Sequence, residues 1–209
     1  MLRQDLSKNQ IHKIDIIHDT LAKQMEKEHT QRSEHVTDVN LAFVDQTTLG
    51  EVIISLSNPC HAYKFRLTPP GGICLIDYAL PLRNEFLKFV GLRKAEGPVT
   101  SDERTAMAKI VRQDLADLEA AWEPVVQVRV TEAEIEEDKE QLDYPTPLGV
   151  LLVAFECHMQ NANGLIRFVY SLSDLDEGWW ASLMPGHRHR GDDRQLWRLR
   201  SIRALAQRR

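Results

Sequence analysis

Apolar residues along the chain recur first with a helical period and then with a strand period. Residues 9–28 place them at steps of three and four, which predicts a helix that buries one face. These positions are Ile14, Ile17, Leu21 and Met25. From Val36 the apolar and polar residues are interleaved, with a strict spacing of two from Val39 to Phe43, which predicts a half-buried strand.

A short helix is expected next. Residues 45–48 offer side-chain oxygens that can cap a helix over residues 49–56. The string Ser57-Asn58-Pro59 should end this helix, because the residue before a proline is disfavoured in helical backbone angles.

A hairpin and a further helix complete the first half of the chain. Residues 60–67 and 72–78 are predicted strands, and the proline and glycine residues of segment 68–71 favour a turn between them. Residues 79–90 carry apolar side chains with roughly helical spacing, which predicts a helix.

The second half repeats the order helix, strand and hairpin. Thr100 or Ser101 can cap a long helix, and Glu103 lies near its positively polarised end. The apolar stripe of this helix is Met107, Ile110, Val111, Leu115, Leu118 and Trp122. Residues 124–137 alternate through three valines and predict a long strand.

The last elements are predicted from apolar runs and turn residues. Two strands are expected over residues 148–157 and 165–170, joined by a turn over residues 161–164, whose residue types tolerate positive φ. Residues 171–183 are expected to form a closing helix.

The two related halves predict one pseudo-symmetric, antiparallel-rich sheet. The near-continuous apolar run over residues 148–155 indicates that helices cover both faces. The expected fold class is therefore α/β, a three-layer α/β/α sandwich of two pseudo-twofold halves. We expect an N-terminal tail over residues 1–8, one domain over residues 9–184 and a basic, disordered tail over residues 185–209.

Charge is unevenly distributed along the chain. The net charge is −5, yet residues 187–209 contain eight arginines and two aspartates, so the preceding residues are strongly acidic. The apolar stretches are far shorter than the roughly 20 residues that cross a bilayer, and the N-terminus lacks the pattern of a secretory signal. A cytoplasmic location is expected.

The residues that could carry enzymatic chemistry do not form a known pattern. The sequence contains neither glycine-rich phosphate-binding motif and no Gly-x-Ser-x-Gly elbow. Cys157 and His158 are adjacent on a predicted strand, so they point to opposite faces and make a poor nucleophile and base. Cys60, Cys74 and Cys157 lie among apolar residues and are predicted to be buried thiols. No catalytic residue, cofactor or metal is expected.

Three clusters leave alternatives open. His187 and His189 could bind a metal, although a disordered polar tail is the favoured interpretation. The acidic stretch 132–143 could bind a divalent cation, but it lacks the loop spacing of an EF-hand, which favours a solvated charged edge. The arginine-rich tail could neutralise the phosphates of nucleic acid or lipid, against a neutral tail or the product of a frameshifted gene.

The order of several short strings is similar to that of the middle domain of the FliM family. Thr48-Leu49-Gly50-Glu51 precedes Ser57-Asn58-Pro59, as in the strand and short helix of that family before its hairpin. Residues 99–103 and Glu119-Ala120-Ala121-Trp122 resemble the start and end of its second long helix. Val169-Tyr170-Ser171 resembles the string after its last strand, so the resemblance covers residues 12–178.

The resemblance implies a fold shared with CheC-type phosphatases and a role without enzymatic activity. The protein would be a scaffold of the bacterial flagellar motor switch, active in motility and chemotaxis. Its implied partners are FliG-like and FliN-like switch proteins, neighbouring copies of itself and CheY, with no nucleic acid. Its implied location is the cytoplasm, at the flagellar basal body on the inner membrane.

The resemblance also implies a partner-binding loop between the halves. The family contacts FliG through a Gly-Gly-x-Gly loop, and residues 91–97 correspond to it but retain Gly91 without the glycine pair. The predicted partner-binding residues are Gly91, Arg93, Lys94 and Gly97. Neither the CheY-binding peptide nor the FliN-like domain of the family is recognised in residues 1–9 or beyond residue 183.

The alternative function is that of a CheC-like phosphatase acting on a phosphorylated receiver domain. Those phosphatases use a glutamate followed three residues later by an asparagine, which together assist the attack of water. Here Ala106 follows Glu103 and Lys88 follows Glu85, so the amide is missing from both helices. A scaffold is therefore the favoured function.

Overall fold

The computed structural model describes residues 6–33, 35, 37–57, 60–68, 72–92, 99–142 and 148–172. The helices in these residues are α1 (Lys8–Ser33), α2 (Leu49–Ser55), α3 (Leu80–Phe89) and α4 (Ser101–Trp122). The strands are β1 (Asp38–Thr48), β2 (Ala62–Thr68), β3 (Gly72–Tyr78), β4 (Arg129–Glu136), β5 (Gly149–Met159) and β6 (Ala162–Ser171), with a 3₁₀ turn over Lys139–Gln141. Within these ranges the order of the helices and strands agrees with the order predicted from the sequence.

The first turns of α2 and α4 are fixed by the same reciprocal pattern of hydrogen bonds. The hydroxyl of Thr48 accepts the backbone N–H of Glu51, whose carboxylate accepts the N–H of Thr48. Thr100 and Glu103 repeat this pattern at α4, so Thr100 is the cap. Each pattern satisfies backbone donors that a helix leaves without an internal partner.

The six strands form one antiparallel sheet in the order β1-β5-β6-β3-β2-β4. An approximate twofold axis lies between β6 and β3, so that β1, β5 and β6 correspond to β4, β2 and β3. Each half of the chain supplies a helix, a first strand and a hairpin, and its first strand pairs with the hairpin of the other half. The predicted pseudo-twofold arrangement is confirmed.

Helices cover the two faces of the sheet unequally. α1, α3 and α4 pack on one face, over a large apolar core that includes Trp122 and Phe155. α2 packs on the other face, where Leu49, Val52 and Val169 belong to a second apolar cluster. The predicted α/β/α layers are confirmed.

The strand predicted over residues 124–137 is shorter than expected. β4 begins at Arg129 because the carbonyl of Trp122 accepts the N–H groups of both Val125 and Val126, which continues the end of α4 as a turn. Val126 and Val128 are buried, but they lie before the strand.

The predicted turn over residues 161–164 is wrong. The pairing of β5 with β6 continues to Met159 and Ala162, which leaves a two-residue turn of Gln160 and Asn161. Gly164 is a strand residue at a close approach to α3, since a Cβ atom there would lie 2.7 Å from the Cβ of Ala79. Glycine at this position therefore serves packing and not a turn.

Some predictions fall outside the described residues. These include Val36, residues 69–71, most of the closing helix expected over residues 171–183 and the basic tail over residues 185–209. Ser171 itself is the last residue of β6, so a helix does not begin there.

Candidate partner-binding site

The C-terminus of α3 is closed by Gly91, one of the predicted partner-binding residues. Its φ is 78°, in the left-handed region, and its N–H donates to the carbonyl of Lys88. The N–H of Leu92 donates to the carbonyl of Leu87, which completes a Schellman motif. Gly91 therefore has a structural role, which is to end α3 at a defined residue.

The remaining predicted residues, Arg93, Lys94 and Gly97, lie outside the described residues. The positions on either side of them are held in place. Leu92 packs against the main apolar core, and Thr100 caps α4. Residues 93–98 therefore connect two fixed points on the same side of the sheet.

The end of α3 presents an apolar side chain to solvent. Val90 is 43% exposed, three residues beyond Leu87, the last buried residue of α3. His35, just beyond the end of α1, lies beside Phe89 with ring centroids 6.3 Å apart. His35, Val90, Gly91 and Leu92 form a corner between α1 and α3. We call this surface the α3 corner.

A buried carboxylate joins the α3 corner to the β5–β6 turn. Glu85 accepts hydrogen bonds from the Nδ2 of Asn161 at 2.9 Å and from the Nζ of Lys88 at 2.6 Å. Burial raises the pKa of Glu85, but these donors outweigh burial, and the pKa lies below its ordinary value. Glu85 is therefore ionised at neutral pH and holds α3 against the turn.

α3 and α4 also meet through two buried charged side chains. The Nη2 of Arg83 lies 3.7 Å from the Oε2 of Glu103, and the two side chains are 1% and 4% exposed. Burial lowers the pKa of Arg83, while the nearby charges of Glu103, Tyr63 and Glu137 raise it, with a net lowering. This pair fixes the relative position of the helices that flank the loop.

Both carboxylates considered for a phosphatase are part of the core. Glu85 and Glu103 are 2% and 3% exposed, and each accepts hydrogen bonds within the fold. A phosphatase needs its acid at the surface, where a phosphorylated receiver can reach it. Neither carboxylate meets that condition.

The other candidate groups have structural surroundings. Cys60, Cys74 and Cys157 are buried, as predicted. Burial raises the pKa of Cys157 to about 12, and His158 on the adjacent position is exposed, so the two do not form a reactive pair. Glu136 and Glu137 of the acidic stretch pair with Lys64 and Arg104.

The described ranges contain no cluster of metal ligands. No group of three metal-ligating side chains occurs there, and His187 and His189 lie outside these ranges. None of the helices that the structure describes combines the length and apolar character needed to span a bilayer.

Three residues of the α3 corner and its surroundings are not identified by the sequence pattern. That pattern assigns Val90 to the apolar face of a helix, although its position just before a left-handed glycine places it at the helix end. His35 and Asn161 have no signal in the sequence, because their partners, Phe89 and Glu85, lie more than 50 positions away.

Comparison with known sequences places residues 7–177 within one family. They match the profile described as "Flagellar motor switch protein FliM". The FliM protein of Borreliella burgdorferi is 24% identical over 193 residues, which cover 85% of this chain and 54% of that protein. The chain thus spans about half the length of the curated relatives it matches.

Solved structures show the same fold. The FliM middle domain from H. pylori has a TM-score of 0.77 at 21% identity, covering 85% of this chain and 99% of that domain. A FliG–FliM complex from H. pylori contains a chain with a TM-score of 0.72 at 22% identity, covering 80% of this chain and 95% of that chain.

Proposed function

Because the chain belongs to the FliM family of flagellar motor switch proteins, we propose that it acts as a non-enzymatic scaffold of the motor switch. Its main role is to hold a FliG-type subunit at the α3 corner. The observation that carries this proposal is the termination of α3 at Gly91, which leaves Val90 exposed at the end of the helix.

The geometry supports a rigid docking surface. Glu85 fixes the end of α3 to the β5–β6 turn, and the Leu92 side chain anchors the start of the loop in the core. A surface held in this way loses little conformational freedom when a partner binds, which favours affinity. Arg93 and Lys94 add two positive charges to it, suited to an acidic rim on the partner.

The known complex of a structurally similar protein supports the choice of partner. The FliM chain in the H. pylori complex is bound to FliG and shares the fold of this chain. The glycine pair of the family loop is absent here, so we assign more of the contact to the side chains of Val90, Arg93 and Lys94.

The scaffold function sets the proposed location and the further partners. We place the protein in the cytoplasm, at the flagellar basal body beside the inner membrane, next to copies of itself. Contacts with FliN-like proteins and CheY stay predictions from the family resemblance. The buried state of Glu85 and Glu103 speaks against the alternative phosphatase role.

The proposal is tested with the full chain and the FliG middle domain from the same source. Light scattering after size exclusion should reveal a complex, and titration calorimetry should give its Kd. Val90→Glu should weaken binding about tenfold or more, because it places a charge in a desolvated contact. Arg93→Glu should weaken it by a similar factor.

Ile54 provides a matched control. It is 80% exposed on α2, on the opposite face of the sheet, and Ile54→Glu introduces the same charge there. This variant should bind as tightly as the unaltered protein. Absence of any complex would contradict the proposed partner, while equal losses from Val90→Glu and Ile54→Glu would contradict the proposed surface.

A further inference from the structure

Three side chains at the start of α4 bring together polar atoms that have no hydrogen-bond partner among the described residues. Among the residues the structure describes, Arg83, Glu103 and Tyr63 are 1%, 3% and 3% exposed. Within the part of the chain that the structure describes, the atoms of this group that form no hydrogen bond are Nε, Nη1 and Nη2 of Arg83, Oε1 of Glu103 and the hydroxyl of Tyr63. Buried polar atoms in native proteins are almost always paired, so this group needs an explanation.

The three side chains come from different elements but occupy one place. Arg83 lies on α3, Glu103 on the first turn of α4 and Tyr63 on β2. The Nη2 of Arg83 is 3.7 Å from the Oε2 of Glu103. Burial raises the pKa of Tyr63 to about 12, and the nearby positive charge of Arg83 opposes this rise. This site, which we call the Arg83 site, lies where both helices meet the sheet.

The distance between Arg83 and Glu103 leaves the two charged groups without a direct hydrogen bond. A direct hydrogen bond between a guanidinium and a carboxylate spans about 2.7–2.9 Å, and 3.7 Å is too long. A polar contact of this length is commonly bridged by an ordered molecule. By contrast, the nearby guanidinium of Arg104 donates directly to the carboxylate of Glu137, at 2.6 and 2.9 Å. The separation of Arg83 from Glu103 is therefore not a general feature of the ion pairs in this region.

The chemistry of the site selects a small, neutral ligand. Arg83 and Glu103 have opposite charges, so an added anion would face Glu103 and an added cation would face Arg83. A ligand must accept from the guanidinium and donate to Oε1 of Glu103 at the same time. Tyr63 offers a third hydrogen bond, and three partners are typical of buried water.

We propose that the Arg83 site binds an ordered internal water molecule, which bridges Arg83, Glu103 and Tyr63 and joins α3 to α4. The water links these two charged side chains, which are too far apart for a direct hydrogen bond, at the joint between the two helices that flank residues 93–98. This inference rests on the described side chains alone and does not depend on the proposed partner.

The test is water–protein magnetization transfer by NMR on the full chain. The Nε–H of Arg83 should show a cross-peak to water with the sign of a long-lived bound molecule. The Nε–H of Arg104, which is in direct contact with Glu137 at the surface, provides an internal comparison and should lack that cross-peak.

Two variants test the assigned partners. Tyr63→Phe keeps the ring but removes one hydrogen-bonding group, and it should abolish the cross-peak at Arg83. Glu103→Gln retains a side chain able to cap α4 but removes the carboxylate that accepts from the water, so it should also weaken or abolish the cross-peak at Arg83. Tyr78→Phe removes a buried hydroxyl that is bonded to Asp114, outside the Arg83 site, and should leave the cross-peak unchanged.

Either of two results would overturn the proposal. One is the absence of a long-lived water at Arg83 in the unaltered chain. The other is a cross-peak that persists in both Tyr63→Phe and Glu103→Gln, since the water would then have other partners.

Discussion

His18 is a buried polar residue whose protonation is linked to the stability of the fold. It is fully buried on α1, where its Nδ1 lies 2.8 Å from the carbonyl of Ile14 and its Nε2 lies 2.8 Å from the hydroxyl of Tyr170. Burial lowers the pKa of His18 to about 4 and outweighs the opposing effect of the Ile14 carbonyl. The imidazole is therefore neutral in the folded protein at neutral pH.

This shift makes the free energy of unfolding depend on pH. Below the unfolded pKa of 6.5, the unfolded chain binds a proton at His18 that the folded chain does not. The free energy of unfolding should therefore fall by about 1.4 kcal/mol per pH unit from 6.5 towards 4. Urea denaturation at several pH values measures this slope.

A His18→Gln variant should lose most of that slope, because its side chain does not titrate. His158→Gln, at an exposed histidine, should retain it. An unchanged slope in His18→Gln would show that another group causes the pH dependence.

Gly91 and Gly50 should respond in opposite ways to alanine. Gly91→Ala should destabilise the protein by about 1 kcal/mol, because alanine is strained at a φ of 78°, even though a Cβ there would have none of the described residues within 4 Å. A Cβ atom at Gly50, in α2, would also have no neighbour within 4 Å in the described ranges, so Gly50→Ala should stabilise the protein by about 0.5 kcal/mol. The measurement is the Tm of each variant, which should fall for Gly91→Ala and rise for Gly50→Ala. If both Tm values moved in the same direction, the explanation from backbone angles would be contradicted.

Buried residues are predicted unevenly from the sequence. The three cysteines are expected to be buried because their neighbours are apolar, and they are. The burial of His18, Arg83 and Glu103 is not expected, because it depends on partners from distant parts of the chain. A polar side chain has no local pattern that distinguishes a satisfied core position from a surface position.

At the scale of elements, local hydrogen bonds determine where helices begin. Thr100→Ala should destabilise the protein by about 1 kcal/mol, because it removes the acceptor for the N–H of Glu103. The same substitution should speed amide hydrogen exchange in the first turn of α4. Urea denaturation measures the change in the free energy of unfolding, and hydrogen exchange measures the local effect.

Thr105 provides the control for this prediction. Its hydroxyl also bonds within α4, to the carbonyl of Ser101, but it lies inside the helix and caps nothing. Thr105→Ala should be neutral or slightly stabilising, since alanine has the higher helix propensity. An equal loss in the two variants would contradict the cap assignment.

Elements with local signals are predicted well, and those shaped by packing are not. The cap of α2 and the hairpin of β2 with β3 follow from short strings, and both are confirmed. The β5–β6 turn is misplaced because Gly164 and its neighbours resemble turn residues. Their strand geometry follows from the approach of α3, which the local sequence does not encode.

At the scale of the whole molecule, the two halves meet at the centre of the sheet. Asp77 of β3 and Arg167 of β6 are paired in register, and the guanidinium donates to the carboxylate. The Nη1 of Arg167 also donates to the hydroxyl of Ser55 on α2. One ion pair therefore connects both halves and the second helical layer.

Loss of this cation should be costly. Arg167→Met should destabilise the protein by about 3 kcal/mol at pH 7, because Asp77 would be left charged and buried. Burial already raises the pKa of Asp77 despite the opposing effect of Arg167. A raised pKa means that the loss grows as pH increases, so it should be smaller at about pH 4 than at pH 7.

The double variant Asp77→Asn with Arg167→Met checks the cause. It removes the charge that Arg167→Met leaves uncompensated and should recover part of the lost stability. If the double variant is as unstable as the sum of the single variants, the two side chains do not act as a pair.

The pseudo-twofold arrangement is visible in the sequence, but the exchange of strands is not. The repeated order of helix, strand and hairpin predicts two similar halves and hence one sheet. The pairing of β1 with β5 and of β4 with β2 joins segments more than 50 positions apart. Periodicity shows which face of a strand is buried but does not show which strand lies next to it.

The most direct test of the scaffold account is hydrogen exchange of the full chain with and without the FliG middle domain. The account predicts slower exchange at residues 88–92, at the α3 corner, and unchanged exchange in α2, on the opposite face. If the partner slowed exchange in α2 and left exchange at residues 88–92 unchanged, the proposed binding surface would be contradicted.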